Sequence, residues 1–166
     1  MSTTQSSLYP DNTSVSVTTA DHEKWMRKAL DEARKAAEQG EVPIGAVVVH
    51  RGRIIGRGHN LTETLNDVTA HAEMMAITAA ANTLGGKYLT GCTLYVTVEP
   101  CPMCAGAIGW SQIPTVVYGA SDAKRGYSTI LLPGCTPFHP KAQVITGILA
   151  DEASTLMKEF FRKKRQ

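Results

Sequence analysis

The sequence contains no uninterrupted apolar run of the roughly twenty residues that a membrane helix needs, which excludes a membrane-spanning helix and leads us to expect a soluble chain with no membrane partner. Charge of either sign is nearly balanced, 17 Lys and Arg against 15 Asp and Glu for a net +2. That excess is too small to argue for a nucleic-acid partner by itself, so the placing of the cations matters more than their sum. Cysteine is scarce, with four among 166 residues, and the N-terminus has neither the basic nor the apolar region of a signal peptide. A disulfide framework is therefore not expected; the thiols are free or bind metal, and the expected location is the cytoplasm. No internal repeat is present. Residues 1–20 lack apolar periodicity and are rich in Ser and Thr, so ordering them would cost entropy that little burial could offset, and they are expected to be a disordered tail.

From Asp21 onward, 21–166 form one domain, long enough to build its own core. Trp25, Met26, Ala29, Leu30, Ala33, Ala36 and Ala37 make a helical stripe that Gly40 closes. "PIGAVVVHRGRIIGRGHN" gives two strands about the turn Arg51-Gly52, the first apolar enough to be buried on both faces. Residues 60–70 are polar and loop-like. "HAEMMAITAAAN" has the pattern of a second helix, "CTLYVTV" of a third strand, "PMCAGAIGW" of a third helix and "TVVYGA" of a fourth strand. Gly and Pro mark 121–142 as a long loop, followed by a short strand "QVITG" and a last helix from Asp151 to about Arg165. This alternation predicts an α/β fold: a three-layer α/β/α sandwich around a mixed sheet of about five strands.

Two short motifs carry the chemistry. "TAHAEMMAIT" holds His71 and Glu73, and "VEPCPMCAGA" holds Cys101 and Cys104. A lone H-x-E reads most simply as a surface pair at a helix end, and a lone C-x-x-C as a redox pair or half of a structural zinc site. Joined, and with Pro100 before the first cysteine, they resemble the H-x-E…P-C-x-x-C pattern of zinc deaminases. Catalytic zinc takes three protein ligands and keeps a position for water, which suits His71, Cys101 and Cys104. Two thiolates neutralise the ion and leave that water less acidic, so a neighbouring base is needed, and Glu73 suits that role. Two positions on a helix differ by about 200° around its axis. His71 and Glu73 therefore converge only on a point beyond the helix N-terminus, where free backbone N–H groups also point. Cys92 precedes a strand and Cys135 lies in the long loop; both are expected to stand outside the site.

The likeness extends well past these motifs. "GEVPIGAVVV", "LYVTVEPCPMCAGAI", "VVYGASDAK" and "GILADEASTLMKEFFRKKRQ" together resemble the bacterial tRNA-specific adenosine deaminases of the cytidine-deaminase-like superfamily, over most of 21–166. That resemblance implies one zinc ion per chain on His71, Cys101 and Cys104, with Glu73 shuttling protons. It also implies a nucleoside contacted by Asn60 and Ala72, an RNA strand passing Asp122, and a homodimer with each site near the subunit boundary. One stretch departs from the family pattern, because "RGYSTILLPGCTPFHPKAQV" follows Lys124 where the family has a run of small residues.

The tail "EFFRKKR" has two readings. It is either a solvated helix end with Phe160 or Phe161 on the core, or an aromatic, basic strip, Phe160 and Arg162 included, that stacks on an unpaired base and meets phosphates. The expected activity is hydrolytic deamination of adenosine to inosine at the wobble position of a tRNA, with release of ammonia and the anticodon stem-loop as partner. Alternatives are a deaminase of a free nucleobase or nucleoside, guanine first, and a non-catalytic, zinc-stabilised RNA-binding module.

Overall fold

The computed structural model describes residues 16–166, so most of the expected N-terminal tail lies outside the described residues. The first helix, α1 (Thr19–Glu38), starts two residues before the expected boundary at Asp21. Thr18 sets that start. Its hydroxyl accepts from the Asp21 N–H at 3.2 Å, while the Asp21 carboxylate accepts from the Thr18 N–H at 3.0 Å, satisfying two of the helix's free donors at once.

The strands are β1 (Gly45–His50), β2 (Arg53–His59), β3 (Cys92–Val98), β4 (Thr115–Ala120) and β5 (Gln143–Ile145), in the spatial order β2-β1-β3-β4-β5. β1 runs antiparallel to both its neighbours, whereas β3, β4 and β5 run parallel, so the sheet is mixed as its pattern predicts. Arg51 and Gly52 both have positive φ, 49° and 70°, the geometry that a tight hairpin turn demands. Side chains of β1 alternate between the layers. Ala46 and Val48 face one apolar cluster and Val47 and Val49 the other, which is why this strand is apolar throughout.

α1 covers one face of the sheet with Met26, Ala29 and Leu30, joined there by Ala153 of α4 (Ala150–Lys164). On the other face α2 (Ala72–Leu84) and α3 (Pro102–Trp110) bury Ala72, Ala76, Ala80, Ala105 and Ile108. α2 lies against the backbone of β2. A Cβ on Gly58 would run into the carbonyl oxygen of Ala72 and the amide of Ala76, so glycine in the strand and alanine in the helix together set how close the two come. That contact fixes the height of the α2 N-terminus.

The stretch 121–142, expected as a plain loop, carries one 3₁₀ turn, Tyr127–Thr129. Tyr127 packs edge-on against Tyr118 at 6.4 Å and Phe138 at 4.9 Å between ring centroids. These buried rings tie the loop to the α2–α3 side of the core.

Candidate active site

His71 is the N-cap of α2 and Cys101 the N-cap of α3, both with extended backbone, and neither side chain caps its own helix. Pro102 occupies the first position of α3, where a missing N–H costs nothing. The imidazole and the thiol are thus free to face each other across the gap between two helix N-termini. His71 Nδ1 lies 3.5 Å from the Sγ of Cys101 and 3.5 Å from the Sγ of Cys104. All three ligand atoms fall within 4.8 Å of one another, and among the described residues no other His, Cys, Asp or Glu joins the group.

Zinc at its usual bond lengths in a tetrahedron separates a bound nitrogen from a bound sulfur by about 3.6 Å. The observed spacing therefore fits a zinc ion held on three protein ligands with a fourth position open. The donor chemistry fits as well. Cys101 is drawn down to about 4, first by the hydrogen bond from Cys104 and further by His71, so a thiolate is available at neutral pH. Cys104 shifts upward as its partner in that hydrogen bond, and His71 shifts upward because the Cys101 thiolate accepts from it. A divalent cation would replace both shared protons.

Glu73 is buried at the second position of α2, and this burial raises its carboxyl above the usual range. It lines a cleft of about 510 Å³, measured to its open mouth, together with Asn60, His71, Ala72, Cys101 and Asp122. Six of the residues singled out by the sequence thus meet in one place, with Ile44 and Val98 supplying apolar wall. Asn60 is nearly buried; its Oδ1 accepts from the Thr62 N–H at 3.2 Å, so it is a turn residue as well as a wall of the cleft.

Phe160 and Arg162 are elsewhere, in the last turns of α4, and do not line the cleft. Neither phenylalanine of the tail enters the core. Phe161 is exposed, and Phe160 lies under the Lys164 ammonium at 5.0 Å. Cys92 is buried beside His50, and Cys135 is exposed; neither approaches the three ligands.

Three further residues went unnoticed in the sequence. Glu41 is fully buried and accepts from the amides of Glu63 at 2.7 Å and Thr64 at 2.9 Å, pinning the loop between Asn60 and His71. Glu99 and Arg125 line the cleft beside Asp122. An acidic residue directly after the apolar strand β3 was the available signal for Glu99.

Comparison with known proteins agrees with this geometry. The family described as MafB19-like deaminase matches residues 20–165. The tRNA-specific adenosine deaminase of Bacillus subtilis (strain 168) is 49% identical over 146 residues, covering 87% of this chain and 91% of the relative. A solved structure from work on A-to-I editing by tRNA:A34 deaminases at the wobble position of transfer RNA is 45% identical with a TM-score of 0.73, over 80% of this chain and 98% of that one. A guanine deaminase from Bacillus subtilis is 41% identical with a TM-score of 0.60, over 66% and 73% of the two chains. With a family match spanning nearly all the described residues and a relative this similar over most of both lengths, the chain belongs to the MafB19-like deaminase family and, with it, to the tRNA-specific adenosine deaminases.

Proposed function

We propose that this protein deaminates adenosine to inosine at the wobble position of a tRNA anticodon loop, consuming water and releasing ammonia. The observation that carries this reading is the meeting of His71, Cys101, Cys104 and buried Glu73 at two helix N-termini, inside a cleft also walled by Asn60, Ala72 and Asp122. Similarity to the adenosine deaminases at 49% identity over nine-tenths of the relative's length favours tRNA over guanine as the substrate.

His71, Cys101 and Cys104 hold one zinc ion per chain. When bound, zinc supplies the Lewis acidity that activates a water for attack on carbon 6 of the purine. Glu73 takes the attacking water's proton and delivers it to the adjacent ring nitrogen, then moves the remaining proton toward the departing ammonia. Its raised affinity for a proton suits a group that must both accept and give one near neutral pH. Asn60, with an amide that both donates and accepts, orients the nucleoside, and Ala72 leaves room for the flat ring against the helix N-terminus. An anticodon loop presents its bases already unpaired, so placing one in the cleft costs little unstacking.

The working unit is a homodimer in the cytoplasm, where its tRNA substrate resides. Trp110 at the end of α3 and Val68 in the loop before His71 are apolar and 85% and 83% exposed, apolar surface of the kind that a second copy would cover. The deciding experiment compares an anticodon stem-loop bearing a wobble adenosine with free guanine, adenosine and cytosine, read by inosine-specific sequencing and ammonia release. Turnover on the stem-loop should exceed that on any free base by orders of magnitude. Rapid ammonia release from guanine with the stem-loop left intact would replace this reading with guanine deamination.

A further inference from the structure

Glu99 is a carboxylate with 6% of its surface exposed, two residues before Cys101, and nothing in the deamination chemistry uses it. Its hydrogen bonds all go to one segment. Oε2 accepts from the Ser128 hydroxyl at 2.9 Å and the Ser128 amide at 3.2 Å, while Oε1 accepts from the Asp122 amide at 3.4 Å. The Tyr127 amide donates to the Pro100 carbonyl at 2.9 Å, adding a fourth tie between the same two stretches. Gly126 completes the fit, since a Cβ there would overlap Glu99 Oε2.

Between these ties the chain makes a tight turn. Asp122 Oδ1 accepts from the amides of Lys124 and Arg125, each at 3.0 Å, which fixes the backbone from which the Arg125 side chain leaves. Arg125 is exposed, lines the cleft with Asn60 and Asp122, and makes no ion pair among the described residues. A guanidinium without a carboxylate partner, held at the mouth of a cleft that receives a nucleoside, has the shape and charge to take a phosphate in two parallel hydrogen bonds.

We infer that Arg125 binds a backbone phosphate flanking the target nucleoside, and that Glu99 is the positioning residue that holds the Asp122–Ser128 turn so that Arg125 reaches it. The inference rests on the RNA reading of this same site and deepens it. A free base brings no phosphate, so the contact rewards a nucleotide within a strand and contributes nothing toward guanine or adenine. The departure of this loop from the family pattern therefore begins at a residue that contacts substrate.

The test uses zinc-loaded full-length protein and the anticodon stem-loop RNA, with free adenosine as the phosphate-free control, across a series of salt concentrations. Arg125→Ala should raise KM for the stem-loop about tenfold with little change in kcat, and lower the salt slope of binding by about 0.7, the contribution of one phosphate on a single strand. The loss on free adenosine, which brings no phosphate, should be several-fold smaller than the loss on the stem-loop; equal losses on both would overturn the phosphate contact. Arg125→Lys should restore most of the slope. Glu99→Gln, which exchanges one acceptor oxygen for a donor, should raise KM for the stem-loop without loss of zinc, and the double variant should be no worse than the poorer single one. If Glu99→Gln does not fold, Ser128→Ala, which removes a single bond of the clamp, takes its place in the cycle. An unchanged salt slope in Arg125→Ala, or strictly additive effects of the two changes, overturns the inference while the functional reading stands. Wild-type protein that leaves the stem-loop adenosine intact overturns the functional reading, and this inference with it.

Discussion

The Nδ1 atom of His71 lies 3.5 Å from the Sγ of Cys104, a residue 33 positions further along the chain, and Glu73 lines the same cleft as His71. Ligand and base are therefore separable by substitution even though they are neighbours. Cys104→Ala should lose zinc and thermal stability together, because a ligand and a buried side chain go at once. Glu73→Gln should stay folded and keep one zinc per chain, yet lose about a hundredfold or more in turnover, the scale of a missing proton-transfer group. Metal analysis alongside ammonia release separates the two outcomes, and a Glu73→Gln protein lacking zinc would mean that Glu73 is a ligand.

Gly58 supports the same site from the strand below. Its missing side chain lets α2 rest on the β2 backbone, and α2 carries His71 as its N-cap. Gly58→Ala should cost about 1–3 kcal/mol of stability, the usual range for overpacking, and should weaken zinc retention as the helix is pushed away. Urea unfolding with and without a competing chelator measures both effects. A stable variant with unaltered zinc affinity would show that α2 can move without disturbing its N-terminus.

The layers and the ligands were legible in the sequence because they depend on short spacings. The apolar run of β1 and the helical stripe of α1 each lie within about a dozen residues, and so does each of the two motifs that hold His71 and Cys101. Glu41 and Glu99 were not legible, because each buried carboxylate serves amides 22 to 29 residues away and no local pattern announces such a partner. The start of α1 was misplaced for a different reason. The Thr18–Asp21 box is a polar signal that merges with the Ser and Thr preceding it. In the loop at 121–142, Gly and Pro pointed correctly to irregular backbone, but the burial of Tyr127 and Phe138 depends on a strand they meet only after folding. For Phe160 and Arg162 the sequence read the composition of the tail and carried no information on its distance from the cleft.

Stability should carry a pH signature from the opposite face of the sheet. His22 is buried against Tyr95, its Nδ1 2.9 Å from the phenol oxygen. Burial first pushes Tyr95 up to about 12, so the phenol keeps its proton and shares one hydrogen bond with the imidazole. Burial likewise holds His22 below its ordinary value of 6.5, against an opposing pull from Asp21. A depressed value means that the unfolded chain takes up this proton first as pH falls. The stabilising contribution of neutral His22 is thus present in full above about 6.5 and is lost as pH falls through the lower folded value. Urea midpoints of the zinc-loaded protein measured from pH 8 down to pH 5 should fall more steeply for wild type than for His22→Leu. Parallel curves would assign the acid sensitivity to other groups.

The tail offers a test of RNA binding that leaves the cleft untouched. α4 continues as a helix through Lys164, with Arg162, Lys163 and Lys164 in its last turn and Phe161 exposed beside them. Cations there are favoured by the helix end whatever they bind, so their presence alone decides nothing. Their effect on salt dependence does. If the strip meets RNA, changing Arg162, Lys163, Lys164 and Arg165 to Gln should weaken stem-loop binding and flatten its dependence on salt by about 0.7 for each phosphate no longer neutralised. Zinc content and any turnover of free adenosine should stay as in wild type, because none of these residues lines the cleft. Phe161→Ala should weaken binding at all salt concentrations alike, since stacking on an unpaired base releases no counterions. An unchanged slope in the first variant and unchanged affinity in the second would reduce the tail to a solvated helix end and leave strand recognition to the cleft and its rim.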